Sequence, residues 1–216
     1  MADLFDPLLP EAPPNETISE GAMLMRGLAL PFVPALLEAI GRIADASPFR
    51  HMVTPGGYSM SVAMTNCGAA GWITDRTGYR YDAIDPETGK PWPKMPECFL
   101  ALAELAAAQA GFGPFQPDAC LINRYAPDAR LSLHQDRNER DFAQPIVSVS
   151  LGLPAVFQFG GTRRNDPVRK FPLRHGDVVA WGGPARLRFH GVAALKDGFH
   201  DPVGRQRINL TFRRAY

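Results

Sequence analysis

The chain has 216 residues, 45% hydrophobic and 21% charged, which suits one globular domain with a full core and excludes a disordered or fibrous protein. A formal charge of +1 excludes a protein that coats nucleic acid by bulk electrostatics, so any such binding needs a local patch. Three widely spaced cysteines, Cys67, Cys98 and Cys120, offer neither a disulfide framework nor a C-x-x-C metal site, and a reducing compartment is expected.

Residues 1–20 carry five acids, four prolines and no basic residue, the composition of a flexible acidic arm that leaves 21–216 as one domain. They lack the basic start and apolar run of a signal peptide, and no later stretch is long enough to span a bilayer. The expected address is the cytoplasm, with no membrane partner. "PALLEAIGRIAD" predicts a helix with Leu36, Leu37, Ile40 and Ile43 on one face. Residues 53–95 are dense in Gly, Pro and aromatics, with a short alternating run at "YSMSVAMT". They are too irregular for a core layer and are expected to run over one face of the domain. "PECFLALAELAAAQAGF" predicts a second helix that stops near Gly111.

From Ala119 the texture changes to short strands: "CLINRYA", "IVSVSLG", "AVFQFGG", "DVVAWGG", "RLRFHGV" and "RINLTFRR", separated by turn residues. Within "IVSVSLG", Val147, Val149 and Leu151 alternate with Ser148 and Ser150, as half-buried strands do. Two helices and many evenly spaced strands make the fold class mainly β with supporting helices (α+β), built on a jelly roll.

"RLSLHQDRNER" ends a strand-like run with His134 and Asp136. Residues i and i+2 of a strand share a face, so the two side chains can aim at one point. Two histidines and one carboxylate form the ligand set of non-haem Fe(II) oxygenases; a plain polar strand end is the alternative. A second pair, His175 and Asp177, directly precedes the apolar run "VVAW". It fits turn chemistry, with Asp177 satisfying local backbone amides. His190 stands on the polar face of "RLRFHGV", with Gly191 permitting close backbone approach, 54 residues after Asp136; it is the candidate third ligand. His51 lies in the excursion, and His200, among turn residues, is expected to be exposed.

In "RINLTFRR", Arg207, Asn209, Thr211 and Arg213 share one face, opposite Ile208, Leu210 and Phe212. That polar face is either solvated or an inward face whose permanently charged guanidinium forks neutralise a dicarboxylate. Arg207 and Arg213 are about 20 Å apart on an ideal strand, so both reach a small ligand only if the strand twists them inward. Asn123 and Tyr125 of "INRY" share a face as well and can complete such a pocket.

Together, "PDACLINRYAP", "LSLHQD", "IVSVSLGLPAVFQFGG", "HGDVVAWGG" and "INLTFRR" resemble the AlkB family of Fe(II)/2-oxoglutarate-dependent dioxygenases, bacterial alkylated-DNA repair type. "SPFRHMVTPGGYSMSVAMTNCG" and "DPETGKPWP" resemble the nucleotide-recognition lid of its repair members. The likeness runs from about Ser47 to Arg214 and leaves the N-terminal arm outside. It implies a double-stranded β-helix core over 119–214, a lid over 53–95, and one catalytic domain over 21–216. It implies Fe(II) held by His134, Asp136 and His190, with 2-oxoglutarate and O2 as cosubstrates. It implies 2-oxoglutarate contacts from Asn123, Arg124, Tyr125, Arg207, Asn209 and Arg213, with Arg207 on the distal carboxylate. Substrate contacts are implied for Trp72, Tyr79, Arg80, Tyr81, Asn138, Arg164, Met64 and Thr54. Of these, Trp72 would stack on a base opposite His134, and Tyr79, Arg80 and Tyr81 would hold the adjacent backbone. Ordinary packing is expected of Tyr58 and Trp92. "TRRNDPVRKFPLR" carries a local charge of +4, either merely solvated or a source of phosphate contacts.

The implied activity is hydroxylation of N-methyl groups on 1-methyladenine and 3-methylcytosine in DNA, single- or double-stranded, with RNA as a further substrate, releasing formaldehyde and turning 2-oxoglutarate into succinate and CO2. A monomer is expected. The chain departs from the family at Asn138, where repair members carry an acid near the exocyclic amine of the base, and this puts lesion preference in question. Two other functions remain open: the same chemistry on modified RNA or a protein side chain, and a jelly-roll binding module without turnover. The Trp72, Tyr79 and Tyr81 cluster favours a nucleobase.

Overall fold

The structure is a computed structural model that describes residues 15–216. Its strands are β1 (Glu16–Ser19), β2 (Ala22–Met25), β3 (Arg50–Val53), β4 (Ser59–Gly68), β5 (Gly71–Asp75), β6 (Gly78–Asp82), β7 (Ala119–Tyr125), β8 (Leu131–His134), β9 (Ile146–Gly152), β10 (Ala155–Phe159), β11 (Arg169–Leu173), β12 (Val178–Trp181), β13 (His190–Val192) and β14 (Arg207–Arg213). Helix α1 (Val33–Ala46) lies between β2 and β3, and α2 (Glu97–Gln109) between β6 and β7. An eight-stranded sheet, β1-β2-β12-β9-β14-β7-β4-β3, faces a four-stranded one, β11-β10-β13-β8, and β5 and β6 form a separate hairpin. This is the expected α+β jelly roll.

The helices cover the outer face of the large sheet. α1 turns Leu36, Ala39, Ile40 and Ile43 inward at helical spacing, and α2 does the same with Phe99, Leu102, Ala103 and Ala106. They pack on Val147, Val149 and Leu151 of β9 and on Ile208, Leu210 and Phe212 of β14. Each such buried side chain contributes about 1.5–3 kcal/mol as an upper bound. The period of two then sends Ser148, Ser150, Arg207, Asn209, Thr211 and Arg213 to the space between the sheets, where all are buried. β9 and β14 are buried at every residue, rather than half-buried as the Val/Ser alternation suggested.

Four expectations change. Glu16–Ser19, assigned to the arm, forms strand β1 and pairs with β2; residues 1–14 of the expected arm lie outside the described residues. Residues 59–68, assigned to the excursion, are the ten-residue strand β4 of the large sheet. It pairs with β7 and is buried from Val62 to Cys67. Arg169–Leu173, part of the basic run, is the edge strand β11, with Pro172 tolerated there. "RLRFHGV" is not one strand. Its first residue, Arg186, is buried in a turn, and only His190–Val192 pairs.

Candidate metal centre

The backbone register builds the site. His134, the last residue of β8, pairs directly with His190, the first residue of β13, and their ring centroids lie 4.4 Å apart. Gly191 makes the approach possible: a Cβ there would sit 2.7 Å from the carbonyl oxygen of Leu131. Asp136 lies just past β8, where Arg213 on β14 holds it through contacts of 2.9 and 2.7 Å. Its carboxylate oxygens are 3.7 Å from His134 Nε2 and 3.8 Å from His190 Nε2. One ligand atom from each of the three residues lies within 4.8 Å of the other two, the sole such group of three among the described residues.

The proton positions suit a metal. His134 Nδ1 lies 2.8 Å from the Ser132 carbonyl, and His190 Nδ1 lies 3.1 Å from the Arg188 carbonyl. A carbonyl only accepts, so each Nδ1 carries the hydrogen and Nε2 is the nitrogen turned toward the shared point as the metal-binding atom. Burial, with help from His134, pushes His190 down to about 4, so its imidazole is neutral at pH 7. Burial, the largest single influence, acts to raise the Asp136 carboxyl, but the charge and hydrogen bond of Arg213 together with the two neighbouring histidines outweigh it and hold the group below the usual carboxylate range, ionised.

Beside the triad, the β14–β7 register sets Arg207 against Tyr125 and Asn209 against Asn123. Arg207 is 1% exposed; Nη2 donates to Ser150 Oγ at 2.8 Å, while Nε and Nη1 find no partner among the described residues. Burial accordingly lowers its pKa. An unpaired buried guanidinium is costly, and an anionic ligand would relieve it. Asn209 donates to Ser148 Oγ at 2.8 Å, and its Oδ1 accepts from Asn123 and Thr211. The donor set fits both a ferrous ion and a 2-oxo dicarboxylate.

These groups open into one cavity of about 750 Å³, within the range of small-molecule sites. Its roof is the β5–β6 hairpin, where Trp72 and Tyr79 stack with centroids 5.8 Å apart. Buried Asn66 clamps the Trp72 backbone at both N–H and carbonyl, and the Trp72 indole donates to Asn138 Oδ1 at 3.2 Å.

Of the seventeen residues assigned to metal, 2-oxoglutarate or substrate in the sequence, His134, Asp136, His190, Asn123, Tyr125, Arg207, Asn209, Arg213, Trp72, Tyr79, Asn138, Met64 and Thr54 line this cavity. Four do not. Arg124 is exposed on the opposite face of β7, its guanidinium 4.5 Å from the Phe49 ring, because strand alternation separates it from Asn123 and Tyr125. Arg80 pairs with Asp75 at 2.8 Å within the hairpin. Tyr81 turns its hydroxyl inward, donating to Glu139 at 2.6 Å, and so cannot offer it to a nucleic-acid backbone. Arg164 donates to the Leu133 carbonyl from an exposed position. Trp92 is buried as expected, whereas Tyr58, expected to pack, is 77% exposed at the mouth. Asp177 accepts from the local backbone of Arg174, as turn chemistry required, but it also accepts from the distant backbone of Gly27 and pairs with Arg26 at 2.7 Å, which turn chemistry did not foresee. His200 is half-buried against His175 rather than exposed. Sequence reasoning passed over Trp181, Glu139 and Arg186. Trp181 lines the cavity 4.9 Å from His190, and its alternation with Ala180 was the available signal. Glu139 and Arg186 gave none, since their partners are distant in sequence.

A jelly roll in which two imidazoles and a carboxylate share a point beside a buried, unpaired arginine defines a non-haem iron oxygenase that uses a 2-oxo acid. A sequence model described as 2OG-Fe(II) oxygenase superfamily matches residues 21–213. The alpha-ketoglutarate-dependent dioxygenase AlkB of Salmonella typhimurium is 59% identical over 100% of this chain and 98% of its own length. The protein of the same name from Escherichia coli is 57% identical over the same shares. The solved structure of OsALKBH1 superposes with a TM-score of 0.82 at 27% identity, covering 93% of this chain and 100% of that one. The chain belongs to the AlkB family of 2OG-Fe(II) oxygenases, with iron as cofactor and 2-oxoglutarate and O2 as cosubstrates.

Proposed function

We propose that the protein demethylates N-alkylated nucleobases in DNA, 1-methyladenine and 3-methylcytosine foremost, with RNA as a further substrate. One observation carries this: the triad and the unpaired Arg207 open into the same cavity, under a roof of stacked aromatics. His134 and His190 would hold iron through Nε2, and Asp136 through a carboxylate oxygen. Arg207 would take the distal carboxylate of 2-oxoglutarate, with Asn123, Tyr125, Asn209 and Arg213 as its polar surroundings. When bound, iron and 2-oxoglutarate supply the activation of O2 that converts an N-methyl C–H to C–OH, with release of succinate and CO2.

A base inside a duplex cannot reach this depth, so it must be flipped out. Trp72 would stack on it, a contact worth roughly 1–3 kcal/mol. Thr54, Met64, Tyr79 and Asn138 would complete the base pocket. In the hydroxymethyl product the O–H proton leaves, the C–N bond breaks and formaldehyde departs. Every residue of this site comes from one chain, so a monomer suffices. No described helix is long and apolar enough to cross a membrane, and a cytoplasmic address is part of the proposal.

The test supplies Fe(II), 2-oxoglutarate and O2 with single- and double-stranded oligonucleotides bearing 1-methyladenine, 3-methylcytosine or no lesion, and measures formaldehyde and succinate. Lesion-dependent formaldehyde in step with succinate, abolished by His134→Ala, is expected. Succinate formed without formaldehyde from any methylated base would move the activity to another substrate.

A further inference from the structure

Behind Asp136 and Arg213 the site continues into a buried ion cluster of Glu139, Arg186 and Tyr81, three residues to which the proposed chemistry gives no role. Glu139, three residues past Asp136, has a side chain only 2% exposed. Its Oε2 accepts from Arg186 Nη2 at 3.0 Å, and its Oε1 lies 3.5 Å from Arg213 Nε and accepts the Tyr81 hydroxyl at 2.6 Å. Arg186 also donates to the backbone carbonyl of Asp136 at 3.0 Å and to that of Gln144 at 3.1 Å. Two buried guanidinium groups are thus matched by two carboxylates, Asp136 and Glu139, one of them a candidate iron ligand. Tyr81 belongs to β6, so the cluster joins the roof hairpin to the segment that carries Asp136.

We infer that Glu139 is a positioning residue for the iron site and, through Tyr81, makes the β5–β6 hairpin part of metal binding. Without the Glu139 charge, Arg186 keeps only the backbone carbonyls of Asp136 and Gln144, and the Asp136 carboxylate on Arg213 is the one anion left beside two guanidinium groups. The local charge then becomes more positive where a dication must enter, and Arg213 loses one of the two anions that fix its fork on Asp136. Supporting contacts of this kind typically carry 10- to 100-fold of metal affinity. The coupling is reciprocal, so iron must also steady the hairpin. The inference rests on His134, Asp136 and His190 being the iron ligands.

The test is anaerobic Fe(II) titration by calorimetry of the full-length metal-free protein, with hydrogen exchange followed over Gly71–Asp82. Glu139→Gln is expected to bind Fe(II) at least about tenfold more weakly, with metal-free unfolding measured alongside. Tyr81→Phe, which leaves the Glu139 charge in place, is expected to lose about fivefold and to abolish the slowing of hairpin exchange that iron causes in the unaltered protein. It carries the test alone if Glu139→Gln does not fold. Unaltered iron affinity in both variants, or hairpin protection that survives in Tyr81→Phe, would overturn the inference. If His134→Ala keeps the metal, the ligand assignment itself has failed.

Discussion

Arg207 is held where burial costs most, with two of its three guanidinium nitrogens unpaired among the described residues. Replacing a buried, poorly paired charge by an apolar side chain of similar volume often stabilises a protein by about 1–4 kcal/mol. Arg207→Met is therefore expected to raise the urea midpoint of the metal-free protein while increasing the KM for 2-oxoglutarate at least about 100-fold, as loss of a charged bidentate contact implies. Added 2-oxoglutarate should raise the Tm of the unaltered protein and leave that of the variant unmoved. At Asn138, restoring an acid keeps an acceptor for the Trp72 indole and adds a charge near a cationic base. Asn138→Asp is expected to raise kcat/KM for 1-methyladenine over neutral lesions by about tenfold, or ~1.4 kcal/mol, measured on matched oligonucleotides. His134, Asp136 and His190 were legible in the sequence because ligand chemistry narrows the residue types, although the alternation used to place them does not hold: β8 ends at His134 and β13 begins at His190. Arg124 illustrates the limit: the motif carried it along, while the pleat turned it the other way.

Among elements, the segment between β6 and α2 is anchored by one buried acid, with Glu87 adding an exposed contact to the same arginine. Asp85, 1% exposed, accepts from Ser47 at 2.6 Å, from Arg50 Nη2 at 2.7 Å and from the backbone of Glu87 at 3.0 Å. This ties residues 85–87 to the end of α1 and to β3. Asp85→Asn removes the buried countercharge of Arg50, leaving it only the exposed Glu87 at 3.5 Å, and is expected to cost about 3–5 kcal/mol in urea denaturation, a large share of the ~5–15 kcal/mol available to a domain. The neighbouring strand β4 showed in the sequence only as the short alternating run "YSMSVAMT". Its centre, Val62–Cys67, is buried on both faces and shows no alternation of apolar and polar residues, and the glycines and aromatics around it suggested a loop. β9 and β14 were plain because a polar face meets the cavity while an apolar face meets the helices.

For the molecule as a whole, acid sensitivity should begin at the metal centre. His190 ordinarily titrates near 6.5 and is pushed down to about 4 by burial. Above pH 6.5 the folded and unfolded chains both hold it neutral. As pH falls, the unfolded chain takes a proton that the folded site refuses, so stability drops with acid. The cost is about 2 kcal/mol between pH 7.5 and pH 5. Asp136 acts in a lower window, since its lowered pKa favours the folded state only above the usual carboxylate range. Urea melts of the metal-free protein should show that loss, and His190→Asn should lack it. Overall architecture was readable from strand spacing and turn residues, because a jelly roll needs many short alternating runs. The Glu139 cluster was not, since it joins β6, β14 and two loops that only tertiary folding assembles.

The short strand β2 pairs with β12 residue for residue, from Ala22 opposite Trp181 to Met25 opposite Val178. It seals what would otherwise be a bare hydrogen-bonding margin along an apolar ribbon. A chain trimmed to start at Gly27 keeps every ligand of the iron yet offers Val178–Trp181 as a template to its neighbours. It should polymerise, and light scattering during storage would register growing particles where the intact protein stays constant in mass.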